Sequence, residues 1–409
     1  MIPLRILIFD PRVIGHHLEY LRYLVQYTIQ KGHYQLYLAV HPRIEEHAPD
    51  LVDLAQQHTE QVVLLPLTPE EYGATEDPTI IWRALAGWRA AAQRAEAVEA
   101  DHCVFMELNF FQPALGLPRA RAASFKVSGI LFFPYCRIES QQGKWSDRFK
   151  SQMERFRKHL QLRWVLSNSQ VENVFVLNDP TAAAELNDWH DTTRFKSLLD
   201  PVVNSVAAGE KVENQDEHFL PTSGDRMHFL LFGSLREQKG VRQVLEAAAQ
   251  LRKDEAEQVS LHLLGKARAD LRNDLPQLIR RLRSSQPNLY VQYEDRYLAY
   301  QELEAALNEC DVVLAPYQRT EGSSGVIGHA AKHERPVLGP QTGLIGELIR
   351  EYELGITVSA SDPEAIAAGM RHYLNGGVGI ETTGMRQYVE ERTPEQFART
   401  LLKTVDSSQ

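Results

Sequence analysis

Two cations and a glycine-containing turn follow an apolar run in the second half of the chain. The run 227–232 leads into Gly233 and Ser234, and then into Arg236 and Lys239 just before a helical pattern. Glycines let the backbone approach a ligand closely, and Arg and Lys beside a helix N-terminus suit a diphosphate. Taken alone, the segment is explained slightly better as a helix start with solvated cations. The dinucleotide pattern GxGxxG and the P-loop pattern are both missing from the sequence.

A second polar group follows the apolar run 311–315, which is ended by a proline. Glu321 precedes the Gly-Ser-Ser-Gly loop 322–325, and His329 lies about two helical turns beyond Glu321. Backbone N–H groups in such a loop form an anion site, and a carboxylate can accept hydrogen bonds from sugar hydroxyls. A plain loop with a solvated Glu321 is the alternative. The coincidence of strand end, helix start and carboxylate favours a binding site.

Short apolar runs alternate with segments of helical period throughout the chain. The helical segments include 17–30 and 80–100, and the runs that predict strands are 4–9, 35–40, 62–65, 103–106, 126–133, 164–166, 227–232, 259–264, 289–293, 311–315 and 336–339. Nearly continuous apolar strands that alternate with helices predict parallel sheets covered on both faces. In such folds the ligands lie at the carboxyl ends of the strands.

The alternation stops over residues 205–225, which are rich in polar residues and glycine and which we interpret as a linker. The α/β pattern on either side predicts two Rossmann-like domains that face each other across a cleft, at 1–204 and 226–385. A length of 409 residues fits two domains of about 200 residues each.

Composition and charge exclude several classes of protein. The formal net charge of −10 argues against a dedicated nucleic-acid binder, which normally carries a basic surplus. The three cysteines, Cys103, Cys136 and Cys310, lie far apart in apolar surroundings, which is typical of buried thiols in a reducing compartment. The sequence has no apolar run of about 18 residues, and its first strand is too short for a signal peptide. We therefore expect a cytoplasmic protein.

The ordered motifs of the second half resemble the donor domain of family 4 (group 1) retaining glycosyltransferases, which have the GT-B fold. The matching pieces cover roughly 227–368 and, in the order of that family, are Gly233 with Lys239-Gly240, Leu263-Leu264-Gly265-Lys266, Asp311 to Pro316-Tyr317, Glu321-Gly322, Arg335-Pro336-Val337-Leu338, Gly343-Leu344-Ile345-Gly346-Glu347 and Leu354-Gly355-Ile356-Thr357-Val358. The ending 386–409 resembles the C-terminal helices that in this fold cross back onto the N-terminal domain. Any single motif is a weak match, whereas the ordered set is specific.

The resemblance implies roles for the matching residues. Lys239 would neutralise the donor diphosphate, Glu321 would contact the transferred sugar, and Arg236 would support the leaving group. These three residues form the expected catalytic set. The expected donor-binding set adds the phosphate loop and the start of the nucleobase loop, and comprises Gly233, Ser234, Gly265, Lys266, Arg296, Tyr297, Gly322, Ser323, Ser324, Gly325, His329 and Glu347.

The sequence departs from the family pattern at two donor positions. His329 stands where the family has a second glutamate, usually assigned to the ribose, and Ser234 stands where an arginine usually follows the first glycine. Arg236 is a candidate substitute for that arginine. The changed ribose partner leaves the identity of the donor open. Loss of both groups would suit a non-catalytic relative, but retention of Lys239 and Glu321 argues against one.

Polar residues also follow two strands of the first half, where the resemblance implies acceptor binding. Gly15, His16 and His17 follow the first strand, where the family places a glycine-containing loop near the donor phosphate and the acceptor. The two histidines fit ligand contacts and surface positions at a helix start equally well. Glu107 and Asn109 follow a later strand and could bind an acceptor, although a helix cap or an ion pair explains them slightly better.

Together the motifs predict a retaining hexosyltransferase. The donor would be a nucleoside-diphosphate sugar, with UDP or GDP expected, and the acceptor a carbohydrate, a lipid-linked molecule or a protein. Because Lys239, Arg236 and the loop amides would stabilise the departing phosphate, we expect no essential metal or other cofactor. A GT-B nucleotide-sugar epimerase, which needs no acceptor, is one alternative. A non-catalytic sugar-nucleotide-binding module is the other.

The segment 144–163 is the most basic stretch of the chain. It carries seven Lys and Arg against two acidic residues, a net charge of +5. An amphipathic helix is predicted by the three- and four-residue spacing of its apolar residues Trp145, Phe149, Met153, Phe156 and Leu160. We expect this stripe to pack on the N-terminal sheet, as any covering helix requires. The alternative is a patch that binds a phosphorylated acceptor, or that makes weak peripheral contact with anionic lipid on the inner face of the membrane.

Overall fold

The chain folds into two compact units. The computed structural model describes residues 3–13, 16–137, 145–202, 219–220, 226–319, 322–376 and 381–406. The first unit consists of Met1–Pro201 with Thr393–Gln409, and the second of Val202–Arg392. Each unit is built on one parallel β-sheet packed against helices, which confirms the predicted fold class of two α/β domains.

The first unit contains a seven-stranded parallel sheet with the strand order β3-β2-β1-β4-β5-β6-β7. Its strands are β1 Leu4–Asp10, β2 Tyr34–Val40, β3 Val62–Leu64, β4 His102–Phe105, β5 Lys126–Leu131, β6 Val171–Leu177 and β7 Phe195–Leu198. Successive side chains of a strand point to opposite faces, so Leu7 and Phe9 join one core while Ile6 and Ile8 join the other. Since both faces are covered, the strands are apolar along most of their length.

Helices cover both faces of this sheet. They are α1 His17–Lys31, α2 Ile44–His47, α3 Pro49–Gln57, α4 Pro69–Thr75, α5 Ile80–Ala97, α6 Gln112–Leu115, α7 Pro118–Arg121, α8 Trp145–Leu166 and α9 Pro180–His190, with 3₁₀ turns at Leu108–Phe110 and Tyr135–Arg137. Several of these helices begin with a proline at the first turn, where its missing N–H costs nothing.

The second unit contains a six-stranded parallel sheet with the order β10-β9-β8-β11-β12-β13. The strands are β8 Met227–Phe232, β9 Val259–Leu264, β10 Tyr290–Glu294, β11 Val312–Leu314, β12 Val337–Pro340 and β13 Gly355–Val358. The helices are α10 Val241–Ala248, α11 Lys253–Ala256, α12 Leu275–Ser285, α13 Tyr300–Glu309, α14 Gly325–Lys332, α15 Gly343–Glu351, α16 Pro363–Leu374 and α17 Thr383–Glu391, and Glu237–Lys239 form a 3₁₀ turn. The strand order places the ends of β8, β9 and β11 side by side.

The last helix returns to the first unit. Helix α18, Pro394–Asp406, buries Phe397 and Leu401 in the same core as Ile6 and Ile8. The ring of Phe397 lies 4.6 Å from the ring of Tyr20 in α1, centroid to centroid. The predicted return of the C-terminal helix to the N-terminal domain is therefore confirmed. Among the helices of the described ranges, none is both long and apolar enough to span a bilayer.

One predicted strand is wrong and three strands escaped prediction. Residues 164–166 were predicted as a strand but form the last turn of α8. The prediction failed because so short an apolar run has no periodicity that distinguishes the end of a helix from a strand. Strands β6, β7 and β13 were missed as strands. Two of them, β7 and β13, are only 4 residues long and carry polar or half-buried positions, so their hydrophobic signal is weak.

Candidate functional site

The carboxyl edge of the second sheet brings two of the predicted glycines into contact. Gly233 follows β8 with a φ of +91°, and Gly265 follows the neighbouring β9 with a φ of +146°. A Cβ atom added to Gly265 would lie 1.8 Å from the carbonyl oxygen of Gly233, which no side chain tolerates. Glycine is therefore required here both by the backbone conformation and by the close approach of the two strand ends.

Lys239 is held over this edge by a tight turn. It ends the 3₁₀ turn Glu237–Lys239, and Gly240 follows with a φ of +74°. A Cβ on Gly240 would lie 2.1 Å from the carbonyl oxygen of Pro316, so the turn packs directly on the end of β11. The Nζ atom of Lys239 donates to the carbonyl oxygen of Phe232 at 3.1 Å and lies 5.5 Å from the ring centre of Tyr317. A lysine ammonium has three N–H donors, and the Phe232 carbonyl takes one.

Two arginines converge on Ser234, the position where the resemblance leads one to expect an arginine. The hydroxyl oxygen of Ser234 accepts from Nε of Arg268 at 2.8 Å and from Nη2 of Arg236 at 3.4 Å. Arg268 was missed by the sequence analysis. Its guanidinium carbon lies 6.0 Å from the ring centre of Tyr297, whose side chain is exposed. The only sequence signal for Arg268 was its place two residues after Lys266, just past the end of β9.

Lys266 and Arg296 are engaged in ion pairs on the same side of the sheet. The Nζ atom of Lys266 lies 3.3 Å from a carboxylate oxygen of Asp295. A hydrogen bond from the backbone N–H of Ala267, together with Lys266, lowers the pKa of Asp295 below its ordinary value. Arg296 pairs with Glu294 at 2.8 Å and with Glu302 at 2.6 Å. These pairs hold the loop after β10 to the start of α13.

The predicted phosphate loop opens helix α14. Ser324 is its N-cap, and its hydroxyl accepts from the N–H of Val326 at 3.3 Å and lies 2.8 Å from the hydroxyl of Tyr317. One turn into the helix, the ring of His329 lies 6.0 Å from that of Phe232 and 6.5 Å from that of Tyr300.

The other predicted donor residues lie near this loop or in a neighbouring helix. Gly322 is buried, Ser323 is half-buried, and Glu347 is half-buried within α15. Two predicted site residues, Glu321 and Gly15, lie outside the described residues.

In the first unit, four charged residues meet where β1 and β4 end. We call Asp10, Arg12, His17 and Glu107 the N-terminal charge cluster. The Nδ1 atom of His17 lies 2.8 and 3.0 Å from the two carboxylate oxygens of Asp10, and its Nε2 atom lies 3.6 Å from Glu107. Arg12 pairs with Glu107 at 2.9 Å. His17 and Glu107 were predicted site residues, whereas Asp10 and Arg12 were missed.

Burial and charge act against each other in the N-terminal charge cluster. Burial lowers the pKa of His17, but the charge and hydrogen bond of Asp10, helped by Glu107, raise that pKa above its ordinary value overall. Burial raises the pKa of Glu107, against the effect of Arg12 and His17. The pairing with Asp10 and Glu107 therefore favours the protonated form of the His17 imidazole more than an exposed position would.

The two remaining acceptor-side candidates make contacts within the fold. The side-chain oxygen of Asn109 accepts from the N–H of Phe132 at 2.9 Å, and its nitrogen donates to the carbonyl oxygen of Phe133 at 3.3 Å. Asn109 thus ties the segment after β4 to the segment after β5. His16 occupies the N-cap position of α1 without a side-chain capping hydrogen bond, and the centre of its ring lies 5.9 Å from that of Tyr20, on which it stacks.

Comparison with known proteins identifies the second unit. Residues 226–376 match the model of the family described as Glycosyl transferases group 1. The second unit is a group 1 glycosyl transferase domain. The matched range contains the glycosyl transferase domain's whole sheet, β8 to β13, and with it the carboxyl edge described above. Among curated proteins, no match is found.

Solved structures resemble the chain over nearly its whole length. Sucrose-phosphate synthase from Thermosynechococcus elongatus has a TM-score of 0.68 at 15% identity, with 99% of this chain and 98% of that chain covered. WaaG, a glycosyltransferase of lipopolysaccharide biosynthesis, has a TM-score of 0.64 at 14% identity, with 99% of each chain covered. Anabaena Alr3699/HepE, solved with UDP-glucose, has a TM-score of 0.63 at 14% identity, with 99% and 100% covered. Identities this low show the fold alone, which is that of the GT-B glycosyltransferases.

The raised pKa of His17 predicts a pH-dependent contribution to stability. A histidine whose pKa is higher in the folded than in the unfolded state stabilises the fold fully below about pH 6.5, and this contribution is lost as the pH rises through the folded-state pKa. We expect His17→Gln to lower the free energy of unfolding by about 1–3 kcal/mol at pH 6 and by less at pH 9. Urea unfolding at both pH values measures this. The control is His33→Gln, which changes an exposed histidine of the same unit. A loss that is equal at both pH values would show that His17 contributes no proton-linked stability.

Proposed function

We propose that the protein is a retaining hexosyltransferase whose donor is a nucleoside-diphosphate sugar. The observation that carries the proposal is the position of the Lys239 ammonium beside Phe232 and Gly233, at the end of β8 and inside a group 1 glycosyl transferase domain. A cation beside a glycine at a strand end suits a diphosphate. The donor nucleotide is proposed to be UDP or GDP, and the complex of Alr3699/HepE with UDP-glucose supports the first.

The chemistry that this edge can perform is stabilisation of a leaving phosphate. In the proposed step the bond between the anomeric carbon and the phosphate oxygen breaks, and the acceptor oxygen bonds to the same face of that carbon. The acceptor proton passes to the departing phosphate. Lys239 and Arg236 would offset the negative charge that develops on the phosphate, and the N-terminus of α14 adds a positive end of a helix dipole. No metal ion is needed in this scheme.

Two further residues are assigned to the donor by this proposal. Glu321 orients the transferred sugar by accepting hydrogen bonds from its hydroxyls. His329 takes the place of a ribose-binding carboxylate, and it stands one helical turn from the N-cap Ser324 of α14. An imidazole offers fewer hydrogen-bonding positions than a carboxylate, so this contact is proposed to be weaker than the one it replaces.

The acceptor is proposed to bind at the carboxyl edge of the first sheet. The N-terminal charge cluster, with His17 and Glu107, offers donors and acceptors suited to hydroxyl groups of a carbohydrate or of a lipid-linked or protein acceptor. The cytoplasm is the proposed compartment. Its support is that Cys103, Cys136 and Cys310 are buried, unbridged thiols, and that burial raises the pKa of each.

Replacement of Lys239 tests the proposed reaction. We expect Lys239→Ala to lower the release of nucleoside diphosphate from UDP- and GDP-hexoses by about a hundredfold or more, because the leaving group loses its cation. Coupled detection of UDP or GDP measures the rate, and Lys253→Ala, at an exposed position in α11, is the control. Unchanged turnover in Lys239→Ala would exclude the assignment. Recovery of an isomeric nucleotide sugar would indicate an epimerase, and donor binding without turnover would indicate a non-catalytic module.

The role of Glu321 is tested by separating the sugar from the nucleotide. We expect Glu321→Ala to weaken the binding of the nucleotide sugar but to leave the affinity for the nucleoside diphosphate nearly unchanged, since only the sugar contacts this carboxylate. Titration calorimetry with both ligands gives the two affinities in one preparation. Equal losses for both ligands would mean that Glu321 touches the nucleotide or supports the fold.

The ribose assignment of His329 is tested by restoring the carboxylate. We expect His329→Glu to bind nucleoside diphosphate more tightly than His329→Ala, because a carboxylate can accept hydrogen bonds from both ribose hydroxyls. Calorimetry of both variants with the ribonucleotide and with its 2′-deoxy form measures the contact. If the wild type and His329→Ala bind the ribonucleotide equally, the residue does not contact ribose.

A further inference from the structure

Helix α8 carries an apolar stripe that faces solvent. Its large side chains Phe149, Met153, Phe156, Leu160 and Trp164 are between 41% and 59% exposed. They follow one another at spacings of four, three, four and four residues, which places them on one face of the helix. The expectation that this stripe packs on the N-terminal sheet is therefore wrong.

The opposite face of α8 already attaches the helix to the first unit. Leu162 and Val165 are 1% and 0% exposed and belong to the core that contains Leu7 and Phe9. The ammonium of Lys158, on the same side, lies 4.4 Å from the ring centre of Tyr135. Since this second face anchors the helix, the solvent-facing stripe is not needed to hold α8 on its own fold.

The stripe widens at its C-terminal end into a shallow hollow. Trp164 packs so closely on Gly116 that a Cβ atom there would lie 2.4 Å from the indole. Together with Pro118, Arg121 and Ala122, these two residues line the hollow. A solvated apolar surface of this extent on one face of a protein marks a site of interaction.

Cations flank the stripe on both sides. With 3.6 residues per turn, Arg157 lies about 60° to one side of the centre of the stripe and Arg163 about 60° to the other, and both side chains are exposed. The whole segment 144–163 has a net charge of +5 in a chain whose net charge is −10. The surface that fits this face therefore combines negative charge with an apolar layer.

We propose that the exposed face of α8 docks on an anionic lipid bilayer. The apolar side chains would enter the boundary between headgroups and acyl chains, while Arg157 and Arg163 would contact the lipid phosphates. A second copy of the chain is a poorer partner, because two copies seated face to face would bring two basic strips together. The proposal rests on the surface of α8 alone and not on the function proposed for the two sheet edges.

Vesicle co-sedimentation of the full chain tests this proposal. We expect wild-type protein to pellet with vesicles of phosphatidylcholine and phosphatidylglycerol at low salt, and much less at moderate salt or with phosphatidylcholine alone. The double variant Met153→Ser with Phe156→Ser should bind about tenfold or more weakly, because it removes two exposed apolar groups that would enter the bilayer. Arg157→Gln and Arg163→Gln should each weaken binding about fivefold at low salt, the equivalent of about 1 kcal/mol per basic residue.

The control is Trp82→Ser, which removes an apolar side chain that is 63% exposed and belongs to a different helix, α5. It should bind like the wild type, and circular dichroism should show the same fold for all variants. Absence of binding to anionic vesicles at low salt would overturn the proposal, as would loss of binding in Trp82→Ser alone. Analytical ultracentrifugation without lipid gives a further check. Self-association that the double variant abolishes would make the stripe a protein interface instead.

Discussion

The contact between the ends of β8 and β9 is the constraint on which the second unit depends. A Cβ atom at Gly265 would lie 1.8 Å from the carbonyl oxygen of Gly233, and Gly233 itself has a φ of +91°, which favours glycine. Because parallel strands end at a common edge, this contact determines where the following loops start. The turn that carries Lys239 is in turn packed on Pro316 at the end of β11. The position of the ammonium group is thus a consequence of backbone packing.

The first unit also has a parallel sheet, but a different set of side chains lies at the ends of its strands. Its edge brings together two carboxyl groups, a histidine and an arginine, and Asp10, His17 and Glu107 are all largely buried. Buried charges are tolerated only when they are paired, and removal of one partner leaves another uncompensated. The members of the N-terminal charge cluster accordingly compensate one another's charges. Parallel topology supplies the place where loops meet, whereas the residues in those loops decide what the place can bind.

Helix α8 shows how far an amphipathic pattern can be interpreted without a structure. The spacing of its apolar residues correctly predicted a helix, yet the more prominent stripe faces water and the core face consists of Leu162 and Val165. Periodicity reports that a helix has an apolar face, but it contains no information about what that face contacts. The same limit explains residues 164–166, where a helix end was predicted as a strand.

Local sequence patterns established the α/β class and the order of the donor motifs, because these properties are written in segments of adjacent residues. The return of the last helix was expected from the resemblance to the glycosyltransferase family. Apolar runs, helical periods and glycines at strand ends are local signals. The approach of Arg268 to Ser234 and the place of His17 between Asp10 and Glu107 became apparent from the three-dimensional fold. Such contacts join residues that are far apart in the chain. They depend on strand order, on register and on the direction of individual side chains, and none of these is encoded in a local pattern.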